Sequence, residues 1–354
     1  MIFLKNLFTE FNIKNLKIKN RICIPPMVVP LAEEGYVTTA NVERYKELAK
    51  GGAGLIIQEA TCINEDGLLA KKQLGIWKDD QIEGLKNIVN AVHEEGCPIF
   101  VQIHHAGVVG ISEEPICPSP YKYEGIGRTV IGREMTKDDI KKIQKDYIEA
   151  ARRAYEAGYD GIELHGCHGY LISQFLNNRV NKRTDEYGKN PEIFVLEILE
   201  EIRKIVPKEF IVGIRLGGFE PTIEAGIKYA KIFEEKGIDF LDISYGFSNE
   251  MDINVKEDYK YSNAVYAAEE IKRHVSTPVF AVNGINSADL AEEILEETKV
   301  DLVDIARGAL INPNWANDAK AGKDTGKCLN CKGCAWFAQS KVCPGRVVFE
   351  RNKA

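Results

Sequence analysis

The sequence predicts a TIM barrel, in which eight parallel strands close into a ring and a helix follows each strand. Eight short apolar runs alternate with stretches whose apolar residues recur at helical spacing, which is typical of repeated βα units. No Gly-x-Gly-x-x-Gly turn opens the chain, so a doubly wound nucleotide-binding sheet is disfavoured. The length of 354 residues suits one large α/β domain with a small appendage.

The apolar runs and amphipathic stretches place each element. The predicted strands are Ile22–Pro25, Gly54–Gln58, Ile99–Gln102, Gly161–His165, Ile211–Leu216, Phe240–Ser244, Val279–Val282 and Leu302–Ile305. The predicted helices include Asn41–Lys50, Gln81–Glu94, Lys137–Ala157, Ile193–Val206, Ile223–Lys236, Ser262–His274 and Ala288–Glu297. Thr136 and Asp139 have capping-box spacing and mark the start of the third helix. In such a barrel the functional site lies at the carboxyl ends of the strands.

Charge and composition exclude several classes of protein. The formal net charge is -7 and no basic stripe is present, which argues against a nucleic-acid surface. No apolar run is long enough to cross a bilayer and the first residues do not resemble a signal peptide, so we expect a cytoplasmic protein without a membrane partner. In that compartment the nine cysteines are expected to be thiols or metal ligands rather than disulfides.

The run from His165 to Tyr170 follows a predicted strand and carries the strongest sign of chemistry. His165 and His168 are three residues apart, so both imidazoles can converge on one carbonyl or carboxylate oxygen. The phenol of Tyr170, two residues further on, can donate a proton nearby. The alternative is a pair of structural histidines, but their place at the end of a parallel strand favours function.

The ends of other predicted strands indicate a phosphorylated, redox-active ligand. Arg215 ends the fifth strand, and a cation there suits a group that becomes anionic on reaction, such as the pyrimidine edge of a reduced flavin. Gln102 can donate to and accept from the same ring edge. Glycines and an arginine follow the seventh and eighth strands, where such barrels bind phosphate. This predicted phosphate site consists of Asn283, Gly284, Arg307 and Gly308.

Two other barrel chemistries are disfavoured by the same strand ends. No predicted strand ends in a lysine, which a Schiff-base aldolase needs there. A metal hydrolase draws its ligands from several strands, whereas the candidate histidines follow only two, as His104 with His105 and His165 with His168.

The ordered motifs resemble the Old Yellow Enzyme family of FMN-dependent barrels. They run from near the N-terminus to about Trp315, and several long motifs in order are far more specific than one short pattern. The motifs are Asn20-Arg21, Pro26-Met27, Glu59-Ala60, Gln102-x-x-His105-Ala106-Gly107, His165-x-x-His168-Gly169-Tyr170-Leu171-Ile172, Arg183-Thr184-Asp185-Glu186-Tyr187-Gly188, Arg215, Asn283-Gly284 and Arg307-Gly308.

The resemblance implies a reaction and a set of roles. NAD(P)H would reduce FMN, and the flavin would pass hydride to a small electron-poor alkene. His165 and His168 would bind the activating group of the alkene, and Tyr170 would donate the proton. Val28 stands where many relatives have a cysteine or threonine touching the flavin. The implied FMN contacts are Pro26, Met27, Val28, Ala60, Gln102, His165, Arg215, Asn283, Gly284, Arg307 and Gly308.

A cysteine-rich segment near the C-terminus predicts a metal centre. The spacing Cys328-x-x-Cys331-x-x-Cys334-x8-Cys343-Pro344 suits a cluster or Zn²⁺ better than a disulfide framework. It resembles the [4Fe–4S] segment of the dienoyl-CoA reductases and trimethylamine dehydrogenases, with a shorter last gap. Iron–sulfur, zinc and free thiols all remain open.

These patterns divide the chain into an FMN-binding barrel at 1–315 and a cysteine-rich extension at 316–354. The closing Val348-Phe349-Glu350-Arg351 resembles the tail of a bacterial branch of the family, in which a terminal arginine reaches the active site of a neighbouring subunit. Arg351 would then bind substrate in a homo-oligomer, and the alternative is a frayed end. A second function also remains open, namely an amine-oxidising or electron-transfer flavoprotein that passes electrons through the cysteines to a protein partner.

Overall fold

The computed structural model describes residues 4–125, 128–247, 249–334 and 342–353. The strands are β1 Phe11–Ile13, β2 Leu16–Ile18, β3 Ile22–Ile24, β4 Leu55–Cys62, β5 Ile99–His104, β6 Ile116–Cys117, β7 Tyr121–Gly125, β8 Arg128–Glu134, β9 Gly161–Gly166, β10 Ile211–Gly217, β11 Phe240–Ser244, β12 Val279–Ala281 and β13 Leu302–Asp304. The helices are α1 Thr39–Lys50, α2 Ile82–His93, α3 Lys137–Glu156, α4 Leu171–Leu176, α5 Glu186–Lys189, α6 Ile193–Ile205, α7 Ile223–Glu235, α8 Asn263–Lys272, α9 Ala288–Thr298, α10 Arg307–Ile311, α11 Trp315–Lys320 and α12 Pro344–Lys353.

Eight parallel strands close into a barrel in the order β3-β4-β5-β9-β10-β11-β12-β13, and β13 pairs with β3 to complete the ring. The predicted TIM barrel is therefore confirmed, with each predicted strand in its expected place. β4 is longer than predicted because it continues through a bulge between Gln58 and Thr61. Its polar Glu59 is hydrogen-bonded there, since the Glu59 backbone N–H donates to the Tyr45 hydroxyl at 2.9 Å.

The barrel interior changes from apolar to polar along its axis. Near the amino ends of the strands, Phe240 stacks on Phe100 and Phe280 with ring centroids 5.4 and 4.8 Å apart. The β1–β2 hairpin covers this end and buries Ile13 and Ile18 against the aromatic layer. Two residues further along the strands the interior is filled by Gln102, Glu163, Arg215, Asp242 and Asp304. A closed apolar floor thus supports a polar layer below the mouth of the barrel.

The outer elements close one side of the mouth. Helix α3 begins with the predicted capping box, because the Thr136 side chain accepts from the backbone N–H of Asp139 at 3.1 Å. The small sheet β6-β8-β7 packs beside the mouth through a cluster that includes Cys117, Val180 and Phe247.

Within the described ranges, no helix is long and apolar enough to span a membrane.

Candidate active site

Two adjoining cavities at the carboxyl ends of the strands contain most of the predicted site residues. The first measures about 370 Å³ and is lined by Pro26, Met27, Val28, Ala60, Leu69, Gln102, His165, His168, Tyr170, Arg215, Ala306, Arg307, Leu310 and Cys334. The second measures about 260 Å³ and is lined by Ser244, Val282, Asn283, Gly284, Ile285, Asn286, Asp304, Ala306, Arg307, Gly308, Gly326, Cys328 and Asn330. Ala306 and Arg307 line both cavities. We call the first the ring cavity and the second the phosphate groove.

The phosphate groove has a backbone suited to an anion. Asn283 and Gly284 have positive φ angles of 79° and 77°, a conformation that serves tight turns where the backbone approaches a ligand closely. Gly308 allows close packing at the start of α10, since a Cβ there would approach Trp315 to 3.0 Å. Arg307 Nη1 donates to the Asn330 side chain at 2.6 Å, so the C-terminal extension contacts the groove.

Arg215 lies in a ring of carboxyl groups at the base of the ring cavity. Its Nε is 3.3 Å from the Asp242 carboxylate, and Gln102 donates to Glu163 at 2.6 Å. Burial raises the pKa of Glu163, Asp242 and Asp304, and for Glu163 and Asp304 repulsion from Asp242 raises it further. Burial alone would lower the pKa of Arg215, but the carboxylates hold it above its ordinary value. The arginine therefore stays charged beside the cavity.

The Arg215 guanidinium has capacity for a ligand. Its Nε makes no well-aligned hydrogen bond among the described residues, although it faces the Asp242 carboxylate at 3.3 Å. Because Arg215 also lines the ring cavity, the rest of its guanidinium is suited to a polar ligand edge placed there. The apolar walls formed by Pro26, Met27 and Leu310 suit a flat ring.

His165 and His168 converge as their spacing predicts. His165 Nε2 lies 3.1 Å from His168 Nδ1, and the Tyr170 ring centroid is 4.5 Å from that of His165. Burial lowers the pKa of His165 well below its ordinary value and lowers that of His168 to about 3. Burial likewise raises the pKa of Tyr170, so its hydroxyl keeps its proton. Two neutral imidazoles and a protonated phenol therefore face one cavity.

The conformation of the His168 loop depends on Glu220, a residue that the sequence analysis missed. His168 has a φ of 61° and Gly169 a φ of 69°. The Glu220 carboxylate accepts from the backbone N–H groups of His168 at 2.9 Å and Gly246 at 2.8 Å, and from the Ser173 hydroxyl. Because it is fully buried and contacts several donors, it holds the loop in this strained form.

Sequence signals for some of the missed residues exist. Glu163, Asp242 and Asp304 each stand between two apolar residues of a buried strand, as in Leu241-Asp242-Ile243, and an acid there must face the barrel interior. Ser244 contacts His168 Nε2 at 2.8 Å, but a serine at the end of a strand is too common to be singled out.

The predicted cysteine ligands lie near the site without forming a ligand group. Cys334 lines the ring cavity and Cys328 lies 4.0 Å from Arg307 Nη1, while Cys331 is exposed and Cys343 partly buried. Across the parts of the chain that the structure describes, these four thiols do not come together as a metal-ligand set. Residues 335–341, between Cys334 and Cys343, lie outside the described residues.

Arg351 is exposed at the end of α12 and lines neither cavity. The helix itself is held to the barrel, because Phe349 is buried and Arg346 pairs with Glu47 at 3.3 Å. The predicted contact of Arg351 with a neighbouring subunit therefore stays a prediction.

Comparison with known proteins decides the family. Residues 6–325 match the family described as NADH:flavin oxidoreductase / NADH oxidase. The chain belongs to this family. The expected resemblance to the Old Yellow Enzyme family is confirmed, and membership makes the protein an oxidoreductase that uses flavin and a nicotinamide reductant.

Relatives are similar along nearly the whole chain. An NADH oxidase from Thermoanaerobacter brockii is 38% identical over 353 residues, which cover 94% of this chain and 54% of that protein. An NADPH dehydrogenase from Geobacillus sp. strain WCH70 is 38% identical over 318 residues, with 87% of this chain and 92% of the relative covered. The chain thus spans only about half the length of the first relative.

Solved structures show the same barrel. A 2-naphthoyl-CoA reductase complex has a TM-score of 0.88 at 26% identity, covering 95% of this chain and 56% of the other. An Old Yellow Enzyme homologue from Zymomonas mobilis has a TM-score of 0.79 at 26% identity, covering 95% and 99%. The residues present fit the FMN of this family, because the groove suits a phosphate and Arg215 suits the ring edge.

Proposed function

We propose that the protein reduces the C=C bond of α,β-unsaturated carbonyl compounds or related electron-poor alkenes with NAD(P)H. The main support is the 3.1 Å separation of His165 Nε2 and His168 Nδ1 at the wall of the ring cavity. At this distance one ring nitrogen can donate to the other, and when each ring carries its hydrogen on the nitrogen that faces the cavity, both N–H groups can instead bind one carbonyl oxygen. The carbonyl becomes more electron-poor when both donate, so its β-carbon accepts hydride more readily.

FMN, when bound, supplies the hydride that it has taken from NAD(P)H. We place its ring against Pro26, Met27, Val28 and Ala60, with Gln102, His165 and Arg215 at its polar edges. Its phosphate would bind at Asn283, Gly284, Arg307 and Gly308. Arg215 would stabilise negative charge on the ring edge, since its guanidinium is buried and stays protonated.

Tyr170 completes the reaction by donating a proton to the α-carbon. Its ring packs beside those of His165 and His104, with centroid distances of 4.5 and 5.4 Å, which fixes the phenol at the cavity wall. The raised pKa keeps the donor protonated at all physiological pH values. Water can restore the proton after each turnover.

A change of Tyr170 to Phe tests this function. Tyr170→Phe should slow reduction of an enone such as cyclohexenone at least tenfold, because the proton donor is lost. Reduction of the flavin by NAD(P)H should stay within about twofold, because the phenol takes no part in that step. Stopped-flow absorbance separates the two half-reactions, and the cofactor released by heat should be FMN. Equal loss in both half-reactions would contradict the role of Tyr170.

One observation favours a second candidate function. Cys334 lines the ring cavity, so a metal cluster held by Cys328, Cys331, Cys334 and Cys343 would lie close to the flavin ring. We propose an iron–sulfur cluster there, with structural zinc as the alternative, and an electron-transfer partner or amine substrate in that case. The paired histidines favour alkene reduction, because amine oxidation would call for a carboxylate or aromatic cage around the substrate cation.

Assembly and location are also proposals. We expect a homo-oligomer in which Arg351 reaches the substrate site of a neighbouring subunit. We place the protein in the cytoplasm, since all nine of its cysteines are unpaired thiols in the structure.

A further inference from the structure

The segment that binds the alkene oxygen contains a third potential ligand, Cys167. One ligand atom from each of His165, Cys167 and His168 lies within 4.8 Å of the other two. His165 Nε2 is 3.1 Å from His168 Nδ1 and 3.8 Å from Cys167 Sγ. Tetrahedral zinc, with bonds of about 2.0 Å to nitrogen and about 2.3 Å to sulfur, needs N···N near 3.3 Å and N···S near 3.6 Å. The two distances from His165 differ from these values by a few tenths of an ångström, and the third pair, Cys167 with His168, lies within 4.8 Å.

We propose that His165, Cys167 and His168 form a binding site for Zn²⁺ and similar thiol-seeking d¹⁰ cations, and that an ion bound there blocks the substrate cavity. This site is separate from the cysteine segment of residues 328–343 and uses none of its thiols. A thiolate with two imidazoles is a donor set that zinc prefers, and the fourth position would face the ring cavity, where water can fill it.

Binding changes the protonation of one ligand. The thiolate is the form of cysteine that binds a metal, so Cys167 would release its proton when the ion binds. Each imidazole would bind through the lone pair of one ring nitrogen and keep its hydrogen on the other.

Neighbouring residues hold the histidine ligands in place. Ser244 lies 2.8 Å from His168 Nε2, so its hydroxyl can accept from that nitrogen when Nδ1 binds the metal, which is the second contact that metal-binding histidines commonly make. Glu220 accepts from the backbone N–H of His168 at 2.9 Å and fixes the conformation of the same loop.

Competition with substrate follows from the shared nitrogens. Under the proposed function, the alkene oxygen uses the same two nitrogen atoms as the metal, so Zn²⁺ should raise KM for the alkene and leave kcat unchanged. This kinetic result depends on the proposed function. Metal binding itself does not depend on the proposed function, because absorption by the thiolate–metal bond can be measured without an alkene.

The experiment compares three variants of the FMN-loaded full chain. Cys167→Ala removes the proposed ligand, Cys97→Ala removes a buried thiol at the amino end of β5, and Cys331→Ser removes an exposed thiol of the extension. Zn²⁺ inhibition, measured against the metal-free activity of each variant, should weaken at least tenfold in Cys167→Ala and should be as in the parent protein in the other two variants.

A spectroscopic measurement separates this site from the proposed activity. Cd²⁺ titration should produce ultraviolet thiolate-to-metal absorption. The final absorbance should be lower in Cys167→Ala by the contribution of one metal site. The number of protons released on Cd²⁺ binding in weakly buffered solution should be lower by one per chain in Cys167→Ala than in the parent protein. An unchanged inhibition constant and an unchanged Cd²⁺ spectrum in Cys167→Ala would overturn the proposal. If no alkene is reduced but the Cys167-dependent band appears, the metal site stands and the proposed function fails.

Discussion

At the scale of single residues, the chemistry depends on which nitrogen of His168 carries the proton. His168 Nδ1 faces His165 Nε2 at 3.1 Å, and His168 Nε2 faces the Ser244 hydroxyl at 2.8 Å. A neutral imidazole has one donor and one acceptor, so a hydroxyl that donates to Nε2 leaves the hydrogen on Nδ1. Under the proposed function we expect Ser244 to donate to Nε2 and so to act as a positioning residue that directs the N–H of His168 toward the substrate.

Replacing Ser244 tests this positioning role. Ser244→Ala should weaken binding of a phenolic ligand about two- to tenfold, which corresponds to the net value of about 0.5–1.5 kcal/mol for one hydrogen bond. Ser244→Thr keeps the hydroxyl and should retain most of the affinity. Nitrogen NMR chemical shifts of His168 should show Nδ1–H in the parent protein and a mixture of tautomers in Ser244→Ala. The same tautomer in both proteins would show that Ser244 does not set the proton position.

Prediction from sequence worked well for the residues at the strand ends. His165, His168 and Tyr170 could be predicted because they follow an apolar strand directly, and the structure brings them to one cavity. Glu220 could not, because its role depends on N–H groups contributed by His168 and Gly246, which only the tertiary fold brings together.

At the scale of elements, apolar runs predict the barrel strands because both faces of a parallel strand are buried. The small sheet of β6, β7 and β8 was not predicted, since β7 and β8 lack the continuous apolar runs of the barrel strands and carry exposed charges such as Lys122 and Arg133. The alternation of partly buried and exposed residues in β7 is nevertheless typical of a strand with one face in solvent. The bulge of β4 was also missed, because its buried Glu59 and Thr61 look like the end of a strand when their hydrogen-bond partners are unknown.

The polar layer formed by β9, β10, β11 and β13 has a consequence for stability. Burial raises the pKa of Glu163, Asp242 and Asp304, so the folded protein holds protons that the unfolded chain releases above about pH 4. The native state then binds more protons than the unfolded state, and the free energy of unfolding falls as pH rises toward the folded pKa values. At low pH these three groups do not weaken the fold.

The Asp304→Asn variant tests this pH dependence. An uncharged amide of the same size removes one titrating group, so the fall of the unfolding free energy with pH should be shallower, by at most about 1.4 kcal/mol per pH unit. Urea denaturation between about pH 5 and 8, at fixed FMN concentration, measures this slope. Asp258→Asn, on an exposed loop, is the matched control and should leave the slope unchanged. An unchanged slope in Asp304→Asn would mean that Asp304 is ionised throughout.

At the scale of the whole molecule, the C-terminal extension meets the barrel at its functional end. Gly326, Cys328 and Asn330 line the phosphate groove, and Cys334 lines the ring cavity. Helix α12 follows and packs on the barrel through Phe349. The extension is thus attached at both ends, and its middle carries Cys331 as an exposed thiol.

We expect a metal centre to fix this extension over the cofactor site. Two x-x gaps allow three thiolates to surround one centre and Cys343 can close the loop, although the thiols are not yet gathered in the structure. Cys331→Ser should lose iron or zinc, measured by elemental analysis after anaerobic, metal-replete expression, and should speed proteolysis within residues 321–343. Cys97→Ser, at the opposite end of the barrel, should change neither. FMN should remain bound in both variants, because Arg215 and the Asn283-Gly284 turn belong to the barrel and not to the extension. Metal-free parent protein with an equally protected extension would contradict the assignment, since the order would then come from the contacts of Asn330 and Phe349 alone.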